Sequence, residues 1–203
     1  MTETNTQNLA TETWHDPFVT WLEELRDKDD GDARKRLAAM RRWLAPSLHS
    51  QIEAAQAIQP RLFTNDGNAR EGSAYLIGAL FALHDVAGGM GNLGDHFREL
   101  CEEGKDPPPN VERRFMSLLA AEGDEFDAAL RHAVTLLKSK GVPVAWHQLM
   151  RDVQAWKSGK PKAQDNVRKW WSKRFWRRPK SNHLEETANE ILSTVTESSK
   201  PKL

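Results

Sequence analysis

Residues 111–156 read VERRFMSLLAAEGDEFDAALRHAVTLLKSKGVPVAWHQLMRDVQAW, and the architecture turns on them. Their apolar residues recur at helical spacing. Phe115, Leu118 and Leu119 mark one helix, and Phe126, Leu130, Ala133, Val134 and Leu137 mark a second. Trp146, Leu149, Val153 and Trp156 mark a third. Breaks fall at Gly123-Asp124 and at Gly141-Val142-Pro143, where glycine can end a helix and proline can restart the chain. On the second helix Arg131 and Lys138 are seven residues apart, roughly 20° from eclipsed at 3.6 residues per turn. They point away from the Phe126/Leu130/Leu137 stripe.

As a string of residues, this segment resembles the small, CasB-type subunit of the type I-E CRISPR Cascade surveillance complex. The matching residues are Glu112-Arg113-Arg114-Phe115, Leu130-Arg131-His132, the turn Gly141-Val142-Pro143-Val144-Ala145-Trp146, and Trp156. Upstream the likeness runs through residues 31–37 and Gly91-Asn92-Leu93-Gly94, and downstream through residues 167–176. It spans about residues 14–177, and the order and spacing of the matches carry it.

The resemblance implies a subunit without catalysis. Two copies would stand in a row along the complex and stabilise the guide–target duplex and the opened DNA. Its implied partners are crRNA, target DNA, the backbone and large Cascade subunits, and a second copy of itself. The family's basic positions fall on Arg36 and Arg131, and then on Arg113 and Arg114.

Working outward, the chain reads as all-α, with about eight to nine helices in two small helical bundles. Residues 14–104 are expected to form an N-terminal helical domain and residues 111–178 a C-terminal one, joined by a proline-rich linker at 105–110. Residues 1–13 and 179–203 are expected to be flexible tails, the second with a marginal helix over 184–195. Asp16-Pro17 supplies a cap and a first-turn proline for a helix carrying Phe18, Trp21, Leu22 and Leu25. Further helices are expected over 32–44, 47–59, 71–86, 95–103 and 165–177, the last with Val167, Trp170, Trp171 and Phe175 facing inward. No period-two alternation is long enough for a strand.

Of the 203 residues, 29 are Lys or Arg and 29 are Asp or Glu, so net charge is zero. The balance hides segregation. Residues 1–32 hold nine acids against Arg26 and Lys28, and residues 157–180 hold ten bases against Asp165. Such a molecule can stack head-to-tail on itself or on other subunits, and it can offer a basic stripe to a polyanion. Face geometry adds Arg34, Lys35, Arg41, Lys138, Lys169, Lys173 and Arg177 to the candidate nucleic-acid-binding positions. Of the eight tryptophans, Trp43 and Trp176 stand beside basic residues and are the candidates for base stacking. Trp21, Trp146, Trp156, Trp170 and Trp171 are expected in the core.

Several activities find little support. The single cysteine, Cys101, excludes an internal disulfide framework and fits a reducing compartment. The start lacks the basic and apolar regions of a secretory signal, and the longest apolar run, 74–83, is about half a bilayer span. A cytoplasmic protein away from membranes is expected. Gly89 to Gly94 spells GxGxxG, but a helix precedes it where a dinucleotide fingerprint needs a strand. A helix–helix turn is the simpler reading.

His84-Asp85 with His49 and Asp127 can be fitted to an HD-type metal phosphohydrolase, without the histidine spacing such sites use. His84 more simply ends its helix, its ring within reach of carbonyls. No catalytic residue, metal or cofactor is expected. The competing readings are a nucleic-acid-lining subunit, a protein-binding helical adaptor and, last, the phosphohydrolase.

Overall fold

Residues 68–83, NAREGSAYLIGALFAL, form the helix on which the others are assembled. Every residue from Ser73 to Ala82 is buried, because the sequence is apolar on all sides and not along one stripe. In the computed structural model, residues 16–28, 30–44, 47–62, 67–86 and 88–177 are described. Among them nine helices follow in order. They are α1 (Pro17–Lys28), α2 (Gly31–Arg41), α3 (Leu48–Ile58), α4 (Asn68–Leu83), α5 (Leu93–Arg98), α6 (Pro109–Ala120), α7 (Glu125–Ser139), α8 (Trp146–Lys157) and α9 (Pro161–Phe175). Short 3-10 turns at Arg42–Leu44 and Gln59–Arg61 complete the set, and no strand occurs among the described residues. The fold is all-α, as the periodicity predicts.

Around α4, α2 and α8 pack most extensively, with α1, α3 and α7 also in contact. A second assembly forms where α5 lies along α9 and α6 closes over both. Phe115 of α6 sits 5.1 Å from Phe97 and 4.2 Å from Phe175, centroid to centroid. Packing therefore crosses the prolines of 107–109, and buried residues from both sides of them form one cluster. Pro109 itself opens α6, where its missing N–H costs nothing.

The stripes on α7 and α8 are buried as the spacing predicts. Several boundaries move, among them those of the helix expected over 71–86, which runs from Asn68 to Leu83. The helix expected over 95–103 ends at Arg98, and the one expected from 165 begins at Pro161. Trp170 is a correction. It is 66% exposed, because the inward stripe of α9 runs Val167, Trp171, Phe175 and Trp170 lies about 100° behind Trp171. The marginal helix expected over 184–195 and both expected tails lie outside the described residues.

Asp16 does more than cap. Its Oδ1 accepts from the Phe18 amide at 2.9 Å, and its carboxylate, wholly buried, meets Arg70 of α4 at 2.7 Å. Its own backbone N–H donates to Nδ1 of His147 on α8 at 2.9 Å. One residue thus ties α1 to α4 and α8. Asp16→Ala is expected to cost roughly 2–4 kcal/mol, combining a lost cap with a broken buried ion pair. Urea unfolding checks this, and a loss below about 0.5 kcal/mol would refute the assignment.

The glycine-rich turn has a packing explanation. Asn92 caps α5, its Oδ1 accepting from the Gly94 amide at 2.9 Å while Asp95 Oδ2 accepts from the Asn92 amide at 2.8 Å. Gly91 holds φ +83°, and a Cβ on Gly94 would lie 2.0 Å from the Trp171 carbonyl oxygen. These glycines permit a tight turn and a close helix contact. No nucleotide chemistry is needed to account for them.

Candidate nucleic-acid interface

Three places gather described basic residues that are candidates for the interface. The first is the C-terminal end of α4, where unsatisfied carbonyls and the helix dipole concentrate negative potential. His84 caps this end, and its Nε2 lies 2.7 Å from the Val142 carbonyl oxygen. Arg41 of α2 donates from Nε to the Ala82 carbonyl at 2.8 Å. Lys138 of α7 donates to the Leu83 carbonyl at 2.7 Å, and Arg26 of α1 to the Asp85 carbonyl at 3.3 Å.

Two turns of α7 away, Arg131 donates from Nη1 to the Leu44 carbonyl at 3.0 Å. Arg41, Arg131 and Lys138 are exposed residues whose heads are held in place by main-chain oxygens. An arginine carries five N–H donors and a lysine three, so one carbonyl contact leaves donor capacity for an anion.

Arg34 lines a shallow hollow between α1 and α2 together with Arg26, Arg41 and Asp85. Lys35 is exposed. Arg36, 44% exposed, pairs with Asp32 one turn earlier at 2.9 Å, an exposed pair of the sort that contributes little. Arg42 is met by Glu53 of α3 at 2.6 Å.

The second place is the groove between α6 and α7. Arg113 and Arg114 are both exposed, about 100° apart on α6, so they cannot address one ligand in the same direction. Arg114 lines a hollow with Ser117, Ala129 and His132.

The third place is on α9. Lys173 and Arg177 line a hollow with Asn92, Trp170 and Arg174, while Lys169 is exposed outside it. No lining residue is shared between this hollow and the α6/α7 groove. The structure thus brings Arg41 and Lys138 together at the end of α4, with Arg131 two turns away on α7, and separately Lys173 and Arg177.

Sequence reasoning missed Arg26, Arg174 and Trp170. Arg26 stands in an acidic run, and only the position of the α4 terminus gives it a role. Arg174 follows Lys173 at once and was available from the same helical wheel. The two tryptophans expected to stack on bases are engaged within the fold. Trp43 stacks on Tyr75 at 4.4 Å, and Trp176 packs on Phe175 at 4.9 Å with its indole N–H 3.4 Å from Glu112.

The metal reading finds no geometry. Among the described residues no group of three or more His, Cys, Asp or Glu side chains stands close enough to hold an ion. His49 faces Glu53, and Asp127 accepts from Lys157 at 2.8 Å. No helix among the described residues is long and apolar enough to cross a membrane.

Known proteins match this arrangement of helices. The family model for the CRISPR-associated protein Cse2 matches residues 36–176. A CRISPR-associated protein Cse2 from Thermus thermophilus is 30% identical over 160 residues, covering 78% of this chain and 88% of the relative. The crystal structure of CasB from Thermus thermophilus superposes with a TM-score of 0.63 at 26% identity, covering 80% of this chain and 99% of that one. A chain of a CRISPR RNA-guided surveillance complex shares the fold with a TM-score of 0.61 at 21% identity, covering 84% of this chain and 95% of its own. With nine described helices in order and the family model spanning more than half of the sequence, the chain belongs to the CRISPR-associated Cse2 family of CasB-type proteins.

Proposed function

We propose that this protein is the non-catalytic small subunit of a type I-E CRISPR RNA-guided surveillance complex. It holds crRNA, target DNA and the displaced strand through their phosphates, and so stabilises the R-loop. Base pairing carries sequence specificity in such a complex, and the protein's task is electrostatic. Its partners are crRNA and target DNA, the backbone and large Cascade subunits, and a second copy of itself.

The observation that supports this reading most is the convergence at the end of α4. Arg41 of α2 and Lys138 of α7, far apart in sequence, are both held at this end, and Arg131 is fixed two turns away on α7 by the Leu44 carbonyl. Their heads are already oriented, so less side-chain entropy is lost when a phosphate arrives. Arg34, Lys35 and Arg36 of α2 add positive charge on the helix that carries Arg41, while Arg113 and Arg114 on α6 and Lys169 on α9 offer further, separate contacts.

The test is salt-dependent binding of the full chain to a labelled oligonucleotide. Each phosphate contact removed should lower the slope of log affinity against log salt by about 0.7 for a single strand and about 0.9 for duplex DNA. Arg36→Ala with Arg131→Ala is expected to flatten the slope by roughly two such contacts, with little sequence preference before or after. An unchanged slope would remove both residues from the interface. Undetectable binding at low salt would instead favour a protein-binding adaptor, whose acidic and basic ends only assemble partners.

A further inference from the structure

The hollow on α9 differs from the other basic surfaces in one respect: it contains a large, exposed aromatic ring. Trp170 is 66% exposed on a helix that buries Trp171 completely. Arg174 lies four positions further on, within about 40° of the same azimuth, Lys173 stands about 60° to one side, and Arg177 follows just past the end of the helix. These residues and Asn92 line a hollow of about 600 Å³ without a carboxylate among them. Asn92 is not mobile filler, because its side-chain oxygen caps α5 and its Nδ2 lies 3.5 Å from the Trp170 carbonyl. The rear wall is rigid as well, since α5 and α9 touch through backbone at Gly94 and Trp171.

An exposed indole costs free energy in water, and three flanking cations disfavour an apolar partner helix. The chemistry that matches both is an unpaired nucleotide, with a flat apolar base for the indole face and phosphates for the cations. A paired base cannot present its face. We propose that Trp170 is a stacking platform for an unpaired base of single-stranded nucleic acid, with Lys173, Arg174 and Arg177 taking the adjoining phosphates. On their other side Arg174 and Arg177 line an adjoining hollow with Asp95, Glu99 and Glu103; Asp95 Oδ2 lies 3.8 Å from Arg174 Nε, long enough to yield to a phosphate. This rests on the nucleic-acid reading above and narrows it to a strand type and a contact.

The experiment compares the full-length parent, Trp170→Ala, Trp170→Phe and Lys173→Ala/Arg177→Ala on three probes: an oligo-dT strand, a strand of the same length lacking bases, and a duplex. Circular dichroism confirms that the variants fold. Trp170→Ala is expected to weaken oligo-dT binding about tenfold with an unchanged salt slope, and Trp170→Phe to retain most of the affinity. Neither should affect the abasic strand or the duplex. Lys173→Ala/Arg177→Ala should flatten the slope on all three.

If Trp170→Ala binds oligo-dT like the parent while Arg36→Ala/Arg131→Ala is weakened, the stacking platform is overturned and the broader reading survives. If the parent binds no probe at low salt, both fall. If Trp170→Ala leaves oligo-dT binding intact but disrupts self-association in sedimentation, a second copy occupies this face and the proposal is overturned.

Discussion

Gly94→Ala is expected to destabilise the protein by about 3 kcal/mol, at the upper end of what overpacking one methyl group costs. A Cβ there would sit 2.0 Å from the Trp171 carbonyl oxygen and 2.8 Å from its carbon, and contacts below 3.0 Å essentially never occur. The obstacle is main chain on a packed helix, so no rotamer change relieves it. α5 and α9 must separate, which opens the Phe97, Phe115 and Phe175 cluster that seals the second assembly. At roughly 2–4 °C per kcal/mol for a chain of this size, Tm should fall by about 6–12 °C.

Gly72→Ala is the control, because Gly72 is inside α4 and nothing lies within 4 Å of where its methyl group would stand. There alanine's helix propensity should raise stability by up to about 1 kcal/mol. Equal melting temperatures for the parent and Gly94→Ala would show that α5 and α9 are not held at this contact.

A second large effect concerns pH. Asp152 of α8 is 7% exposed, and burial pushes its carboxyl up to about 6, against the hydrogen bonds from Trp171 and Gln148 and the charge of Arg151. Trp171 Nε1 donates to its Oδ2 at 2.7 Å and Gln148 Nε2 to its Oδ1 at 2.8 Å. His96 of α5 is 1% exposed, and burial pulls its imidazole down to about 4; nearby His84 acts in the same direction, and Asp95 opposes both. Its Nε2 accepts from the Ala145 amide at 3.0 Å, so the proton of the neutral ring sits on Nδ1.

The signs follow from linkage. The folded chain holds the Asp152 proton more tightly than the unfolded chain, where an aspartate titrates near 3.8. This group therefore lowers stability as pH rises from about 3.8 to about 6, by roughly 3 kcal/mol at 1.36 per unit. His96 does the reverse. The unfolded chain protonates it near 6.5 and the folded chain only near 4, so stability falls by roughly 3 kcal/mol as pH drops through that window.

In the parent the two nearly cancel. Asp152→Asn, which keeps an acceptor for Trp171, should expose the histidine term, so that its stability relative to the parent falls on acidification. His96→Gln, which keeps an acceptor for the Ala145 amide, should gain relative to the parent over the same range. Urea unfolding near neutrality and near the low end of the window reads both. Parallel pH profiles for the three proteins would mean that neither side chain titrates as its burial requires.

Much of the candidate site is legible before folding, and the part that is not has a common cause. Arg131 and Lys138 are readable as one outer face because azimuth on a helix is a local property. What they meet is not local. Lys138 reaches a carbonyl at the end of α4, and Arg131 reaches one at Leu44, across chain separations that no periodicity encodes. Trp170 escapes the helical wheel because two adjacent tryptophans can each complete an apolar stripe. Only the seat of α5 against Trp171 decides which of them turns inward.

The helices, most of their buried faces and the family are settled along the chain, since spacing at three and four residues, caps and motif order are written in one dimension. Three things wait for the folded molecule: packing that runs across the prolines, a glycine turn that serves a helix contact, and cations of α2 and α7 that meet at one helix end. The physical reason is that burial and electrostatic attraction act between surfaces, and which surfaces meet is settled only when the chain closes on itself.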